Sequence, residues 1–232
     1  MSEHLLRGIE HRFDEILHRS IGKNRDTIVR VATLLADTYR HGAQAYSFGT
    51  GHSHVLIEEM FYRAGVPNFI HPLWDAALML HEGPERSGEL EKVRGYYRRI
   101  FDQVTWHPGD VLWAISNSGR NWVIVELAQA SKAQGAKVIA LTSLDHSRSI
   151  KPLSTDGPKL YELADYVLDN CGVLGDATVC LEGVETRVVP TSTFVGVTLI
   201  HLVMAEVVTI LAGNGHPLPS ILVSNNVDGG HD

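Results

Sequence analysis

Residues 110–143 read DVLWAISNSGRNWVIVELAQASKAQGAKVIALTS, and this stretch decides the fold class. It begins with an apolar run at 110–116, continues with helical spacing over 122–135 that ends at a glycine, and returns to an apolar run at 137–143. Continuous apolar strands separated by helices are typical of a parallel sheet that is covered on both faces. Right-handed crossovers then give a doubly wound α/β sandwich of three layers.

The rest of the chain shows the same alternation. It predicts N-terminal helices, a core of alternating strands and helices, and a long apolar C-terminal helix. The predicted helices cover 3–20, 24–41, 54–65, 89–104, 122–135 and 191–213; the predicted strands cover 44–49, 66–72, 110–116, 137–143 and 165–170, with a hairpin at 177–190. We predict a single domain, with an N-terminal helical segment (1–43), a core (44–213) and a Gly- and Asn-rich tail (214–232).

Composition and charge exclude several classes of protein. Apolar residues make up 44% and charged residues 20% of the chain, which is ordinary globular composition. The net charge of −7 argues against nucleic acid as a partner but not against a small phosphate ligand. Two cysteines, Cys171 and Cys180, make no disulfide framework. A charged N-terminus without a signal peptide, and apolar runs that we judge too short to span a membrane, predict a cytoplasmic protein with no membrane association.

Two strand ends carry unusual polar loops. FGTGHSH (48–54) and ISNSGRN (115–121) each join a strand to a helix through glycine, hydroxyl and amide side chains. In open α/β sheets, ligands bind beyond the carboxyl ends of the strands, and glycines let the backbone approach a ligand closely. The competing interpretation is that Ser118 or Asn121 only caps the following helix. No dinucleotide or P-loop fingerprint is present, so a monophosphate fits better than a nucleotide.

These two loops resemble those of the sugar isomerase (SIS) domain family of phosphosugar-binding proteins. The family hallmark, Ser-X-Ser-Gly after a central strand, matches residues 116–119, and the resemblance extends from about residue 44 to the last helix. It implies a flavodoxin-like parallel sheet and a homodimer or homotetramer with sugar-phosphate sites near the subunit interface. The phosphate-binding residues that it implies are Thr50, Gly51, His52, Ser53, Ser116, Asn117, Ser118, Gly119 and Asn121. The family often has Thr at position 121.

The resemblance also suggests aldose–ketose isomerisation, which needs a base and an acid near the sugar. Glu82 is the favoured base and His81 its assistant, unless they are a solvated surface pair. Glu59, on the helix after the first loop, is a second candidate, although one of the two glutamates at 58–59 is expected to be merely exposed. His201 interrupts the last apolar helix; such a histidine is usually a core residue, but heptose-phosphate isomerases of this family use one there as acid or base.

Other interpretations stay open at this stage. A lyase that cleaves a sugar-phosphate ether needs the same kind of base, and a phosphosugar sensor needs none. No metal or cofactor is predicted: His54, Glu58 and His201 supply at most three zinc ligands, and we find no fourth. In the tail, Asn225, Asn226 and Asp228 either hydrogen-bond sugar hydroxyls or belong to a mobile end.

Overall fold

The computed structural model describes residues 3–153, 157–224 and 226. Helices α1 to α8 and strands β1 to β7 alternate along most of this part of the chain, with two short 3-10 turns, Ala76–Leu78 and Leu80–Glu82, before α3. In chain order the elements are α1 (Glu3–Arg40), β1 (Ala45–Gly49), α2 (Ser53–Glu58), β2 (Ile70–Pro72), α3 (Pro84–Leu90), α4 (Arg98–Phe101), β3 (Val111–Ile115), α5 (Trp122–Ala133), β4 (Lys137–Thr142), α6 (Leu144–Ser149), α7 (Leu160–Leu163), β5 (Tyr166–Asp169), β6 (Ala177–Val179), β7 (Val188–Pro190) and α8 (Ser192–Gly213).

The central sheet has five parallel strands in the order β2-β1-β3-β4-β5. The chain runs outward from β1 to β2, then crosses back to β3 on the other side of β1. The strand order therefore reverses between β1 and β3, which is the position where open α/β sheets bind ligands. This topology confirms the predicted flavodoxin-like doubly wound sheet, and the separate antiparallel pair β6-β7 confirms the predicted hairpin.

Helices cover both faces of the sheet and make three layers. On β3, Val111, Trp113 and Ile115 pack into one core with α1, α2 and α8. The alternate residues Leu112 and Ala114 pack into a second core with α4, α5 and α7. All five side chains of β3 are buried, which explains why this strand reads as one continuous apolar run.

The N-terminal segment differs from the prediction, because α1 is one helix of 38 residues and not two. Gly22 lies where we expected a break, and its Cα hydrogens face open space. Ser20 and Asn24 on the buried face hydrogen-bond the backbone of Asp169 at the end of β5, at distances of 2.7 to 2.9 Å. These contacts to the sheet offset the cost of about 1 kcal/mol that an internal glycine carries relative to alanine.

Elements around β2 are shorter than predicted. Helix α2 ends at Glu58, where we expected 65, and the strand predicted over 66–72 is reduced to three residues. The backbone that follows α2 pairs instead with the C-terminal segment: Gly65 N donates to Leu222 O (2.8 Å) and Asn68 N donates to Ser220 O (2.7 Å). The predicted helix over 89–104 is also wrong, since α3 ends at Leu90 and α4 spans four residues.

Helix α8 corrects our expectation about apolar runs. It has 22 residues and a mean hydropathy of 2.2, so among the described residues it alone is long and apolar enough to cross a membrane. Its apolar character has another cause here, because the side that includes Val195, Leu199 and Val203 is fully buried against α1, α2 and the sheet.

Candidate functional site

A cavity of about 270 Å³ lies at the carboxyl ends of the central strands, beside the point where the strand order reverses. Both polar loops contribute to it, together with the end of β5 and the start of α8. Its lining residues are His52, Ser53, Leu56, Ile115, Asn117, Leu141, Asn170, Asp176, Pro190, Ser192 and Thr193. The floor is apolar and the walls are polar, which is the usual composition of a small-molecule site.

The loop after β1 is shaped by close packing between backbone and helix. A Cβ on Gly49 would lie 2.8 Å from Ser53 Cβ, so only glycine lets α2 start this close to the strand end. Gly51 has φ +56° and its N–H donates to Leu78 O, which ties the loop to the first 3-10 turn. The Thr50 hydroxyl donates to Glu91 Oε2 at 2.6 Å, so this side chain already has a protein partner.

The loop after β3 is held rigidly by its own residues and by β4. Ser116 Oγ accepts the Gly119 N–H at 3.1 Å. The carbonyl of Asn117 accepts both the Ser143 N–H and the Thr142 hydroxyl, and the Asn117 side-chain oxygen accepts from Asn170 Nδ2 at 2.9 Å. Several of the predicted phosphate-binding residues therefore stabilise the conformation of the loop itself.

Other polar side chains of the two loops have no partner. Within the described part of the chain, the side chains of Ser53, Ser118 and Asn121 make no hydrogen bond, and each is accessible or half-buried. Asn121 occupies the N-cap position of α5 without a side-chain capping bond. The structure thus does not support the alternative that Ser118 or Asn121 only caps α5. These side chains and the N-terminal end of α5 follow the carboxyl ends of the neighbouring parallel strands β1 and β3, where an anion would be stabilised.

The wall opposite these loops contains residues that our sequence reasoning missed. Asp176 accepts hydrogen bonds from Thr191 N (3.1 Å), Ser192 N (2.9 Å) and the Ser192 hydroxyl (2.6 Å). Its carboxylate therefore caps the N-terminus of α8. A Gly-Asp pair ahead of a predicted hairpin was the only signal in the sequence, and such a pair indicates a turn as readily as a site.

A histidine supports the segment that carries Asp176. His146 on α6 accepts the Gly175 N–H on its Nδ1 atom at 3.1 Å, which requires this nitrogen to be unprotonated. Burial lowers the pKa of His146 below its ordinary value, and a hydrogen bond with Val173 and the charge of Asp176 oppose this lowering only in part. The neutral ring thus holds the backbone next to Asp176 in place.

Sequence comparison supplies the family. The sequence model described as "SIS domain" matches residues 10–143, which is more than half of the chain. This chain belongs to the SIS domain family. Its relatives include the UPF0309 protein BH0227 of Halalkalibacterium halodurans, 39% identical over 222 residues that cover 96% of this chain and 88% of the relative. The UPF0309 protein GK1441 of Geobacillus kaustophilus is 37% identical over 94% of this chain and 86% of its own length.

Solved structures with the same SIS fold include two phosphoheptose isomerases. The protein from Francisella tularensis has a TM-score of 0.58 at 15% identity and covers 89% of this chain and 98% of its own. The phosphoheptose isomerase GmhA from Neisseria gonorrhoeae has a TM-score of 0.56 at 17% identity, with 90% and 98% covered. The Vibrio vulnificus NanR protein complexed with ManNAc-6P has a TM-score of 0.50 at 14% identity, with 91% and 63% covered. At these identities the likeness concerns the fold alone.

The predicted acid–base residues of this SIS domain form two groups outside the cavity lining. His81 and Glu82 are exposed on the second 3-10 turn, where the His81 ring packs against the His54 ring with centroids 5.9 Å apart. Glu59 and His201 meet between the end of α2 and the middle of α8, with Glu59 Oε2 3.3 Å from His201 Nε2. Arg63 Nε lies 3.3 Å from the same carboxylate oxygen.

The three residues considered for a metal are not brought together. His54 donates its Nδ1–H to Gly51 O, and its Nε2 lies 3.7 Å from Glu58 Oε1. His201 contacts Glu59 and not this pair. Among the described residues, no three His, Cys, Asp or Glu side chains have the arrangement of a metal site.

In the tail, Asn225 and Asp228 lie outside the described residues, while the N–H of Asn226 donates to the Ser224 hydroxyl at 3.3 Å.

Proposed function

We propose that this SIS domain binds a sugar monophosphate, with the phosphate on the loops at 50–53 and 116–121 and the sugar in the cavity. The observation that carries the proposal is a set of side chains without a hydrogen-bond partner among the described residues: Ser53 at the start of α2, and Ser118 and Asn121 in the loop that leads into α5. Hydroxyl and backbone donors at a helix N-terminus are suited to phosphate. The structurally similar NanR protein, which was solved in complex with ManNAc-6P, supports a phosphosugar as the ligand.

We further propose that the bound sugar undergoes aldose–ketose isomerisation, in line with the structural similarity to the two phosphoheptose isomerases. The Glu59–His201 contact is our leading acid–base pair, because each side chain is held by the other and neither is fully exposed. Glu59 is six positions after Ser53, about 9 Å along a helix at 1.5 Å per residue, so a sugar in the cavity has to extend about this far beyond the first loop to reach the pair. Glu82 and His81 are the second pair, but both side chains are exposed, and an exposed pair is less preorganised than a partly buried one.

The exposed side of α8 supports a homo-oligomer. Phe194 and Leu202 are 41% and 36% exposed on this helix, and Phe61 after α2 is 41% exposed. Apolar side chains of this size on one side of a protein are typical of a subunit interface. We propose that a second copy of the chain covers this surface and brings the Glu59–His201 pair close to the interface. Cytoplasmic location and the absence of a nucleic-acid or membrane partner remain part of this proposal.

A ligand screen followed by a turnover assay tests these proposals. Thermal unfolding would be measured with pentose, hexose, heptose and N-acetylhexosamine phosphates, and with the matching unphosphorylated sugars. A ligand at 100 times its Kd adds about 2.7 kcal/mol to the free energy of unfolding. We expect a phosphorylated sugar to raise Tm and its free sugar to leave it unchanged; NMR of that mixture should show the aldose and the ketose interconvert. Binding without turnover would contradict the isomerase and favour a sensor, and no binding would contradict both.

A further inference from the structure

We infer that Asp176 acts as a charge filter for the sugar end of the cavity, so that the ligand is a sugar monophosphate without a second anionic group. This inference rests on the proposed function and names its substrate class. Sugar bisphosphates and phosphorylated sugar acids would be excluded. Sugars with hydroxyl or amino groups at the end remote from the phosphate would be accepted.

The cavity lining has a negative charge at Asp176. Among the described residues that line the cavity, Asp176 is the single carboxylate, and none is a lysine or an arginine. Lys159, a buried cation nearby in the chain, donates to the carbonyls of Ser147 and Ile150 and does not line the cavity. A carboxylate that faces a cavity with no lysine or arginine among its described lining residues disfavours any further negative charge there.

Asp176 occupies the anion-binding position at the N-terminus of α8. Helix α8 begins in the cavity lining with Ser192, and α5 begins just after the loop whose Asn117 is in the lining. Each of these N-termini would attract an anion. At α8 that place is already filled, since the Asp176 carboxylate accepts the N–H groups of Thr191 and Ser192. At α5 no side chain takes this role. The end of the cavity near α5 can therefore accommodate an anion, whereas the end near α8 already contains the Asp176 carboxylate.

The two ends differ in what they offer a sugar. Near Asp176 the lining supplies the hydroxyl of Thr193, which has no partner among the described residues, and the amide of Asn170. A carboxylate oxygen accepts hydrogen bonds from sugar hydroxyls or from an ammonium group, and it repels a phosphate or a carboxylate. A second anionic group about 6 Å from Asp176 should weaken binding about 100-fold at the effective dielectric constant of a partly buried site.

Asp176→Asn is the decisive variant, because asparagine keeps an oxygen for the two N–H groups at α8 and its amide can donate to the Ser192 hydroxyl. Asp102→Asn is the matched control: it removes the same charge at an exposed position after α4, on the opposite face of the sheet. For both variants and the wild type, calorimetry would give Kd for glucose, mannose and fructose 6-phosphates, for the corresponding 1,6-bisphosphates, and for 6-phosphogluconate.

We expect the wild type and Asp102→Asn to bind their preferred monophosphate about 100-fold more tightly than its doubly anionic counterpart. Asp176→Asn should reduce this ratio to below about 10-fold. An unchanged ratio in Asp176→Asn, or equal affinities in the wild type, would overturn the charge filter while leaving phosphosugar binding intact. If no sugar phosphate from this panel or the wider screen bound the wild type, the proposed function itself would fail, and the inference with it.

A second measurement covers the case in which Asp176→Asn does not fold. Salt screens the repulsion between partly exposed charges. Raising the ionic strength should therefore bring the wild-type affinities for mono- and bisphosphates closer together. The salt dependence of inorganic phosphate binding serves as the correction. A ratio that did not change with salt would also overturn the inference.

Discussion

Replacing Gly119 by alanine tests whether the loop after β3 is built on a backbone that only glycine tolerates. Gly119 has φ +59°, and its N–H and C=O bind Ser116 Oγ and the Leu160 N–H respectively. An added Cβ would lie 3.2 Å from Leu160 Cβ, closer than an ordinary van der Waals contact. The substitution therefore combines an unfavourable backbone conformation with a steric contact against α7.

The two costs can be separated by a control. A left-handed conformation costs an L-residue roughly 1–2 kcal/mol, and a close contact in a packed region adds about 1 kcal/mol or more. Gly215 has a similar φ of +67° but no atom within 4 Å of an added Cβ. Gly215→Ala should thus lower the free energy of unfolding by about 1–2 kcal/mol and Gly119→Ala by about 2–3 kcal/mol.

Urea unfolding of the wild type and both variants gives these free energies, with unchanged m-values as the check on a common unfolded state. Gly119→Ala should also weaken phosphosugar binding, because any shift of the loop moves Ser118; Gly215→Ala should not. Equal destabilisation by the two substitutions would refute the role of the Leu160 contact. Unchanged ligand affinity in Gly119→Ala would refute the link between this backbone and the binding surface.

Three further predictions follow from other parts of the structure. The stability that neutral His146 contributes is fully present above the unfolded-state pKa of about 6.5, and it is lost as the pH falls towards the lower pKa of the folded state. In His146→Gln, Tm should therefore fall less steeply with decreasing pH below about 6.5. Glu59→Gln should lower kcat by about 10²- to 10⁴-fold with little change in phosphosugar affinity, whereas Glu82→Gln should change kcat little. Leu202→Lys should convert the oligomer to monomers in light scattering.

Each of these predictions has an outcome that contradicts it. A pH dependence in His146→Gln identical to that of the wild type would show that the Gly175 contact does not respond to protonation. A large loss of kcat in Glu82→Gln with normal turnover in Glu59→Gln would reverse our order of the two acid–base pairs. An unchanged mass for Leu202→Lys would place any subunit contact elsewhere; Val29→Lys, at an exposed position on α1, controls for the added charge.

Much of the fold was predictable because its signals are local. Strand β3 is buried on both faces and therefore reads as an unbroken apolar run, and α5 ends where Gly135 follows it with φ +89°. The two polar loops were also visible, since each follows such a run directly. The position of these loops after the strands also led us to predict a ligand site at this edge of the sheet.

The remaining features depend on contacts between distant parts of the chain. Nothing near Gly22 indicates that Ser20 and Asn24 will bind the end of β5 and keep α1 continuous. The early end of α2 reflects pairing with residues 220–222, more than 150 positions away. Asp176 enters the cavity wall only because the segment after β5 folds back on α8, and its local sequence resembles an ordinary turn.

The most direct test of phosphate binding by these loops compares Ser118→Ala with Ser149→Ala, which removes an exposed hydroxyl on α6. Calorimetry would give Kd for the best sugar phosphate from the ligand screen and for its unphosphorylated sugar. A hydrogen bond to a charged group contributes about 1.5–3 kcal/mol, so Ser118→Ala should weaken sugar-phosphate binding about 10- to 100-fold while Ser149→Ala binds like the wild type. Equal affinity of Ser118→Ala and the wild type, or equal affinity for the sugar with and without its phosphate, would contradict the account.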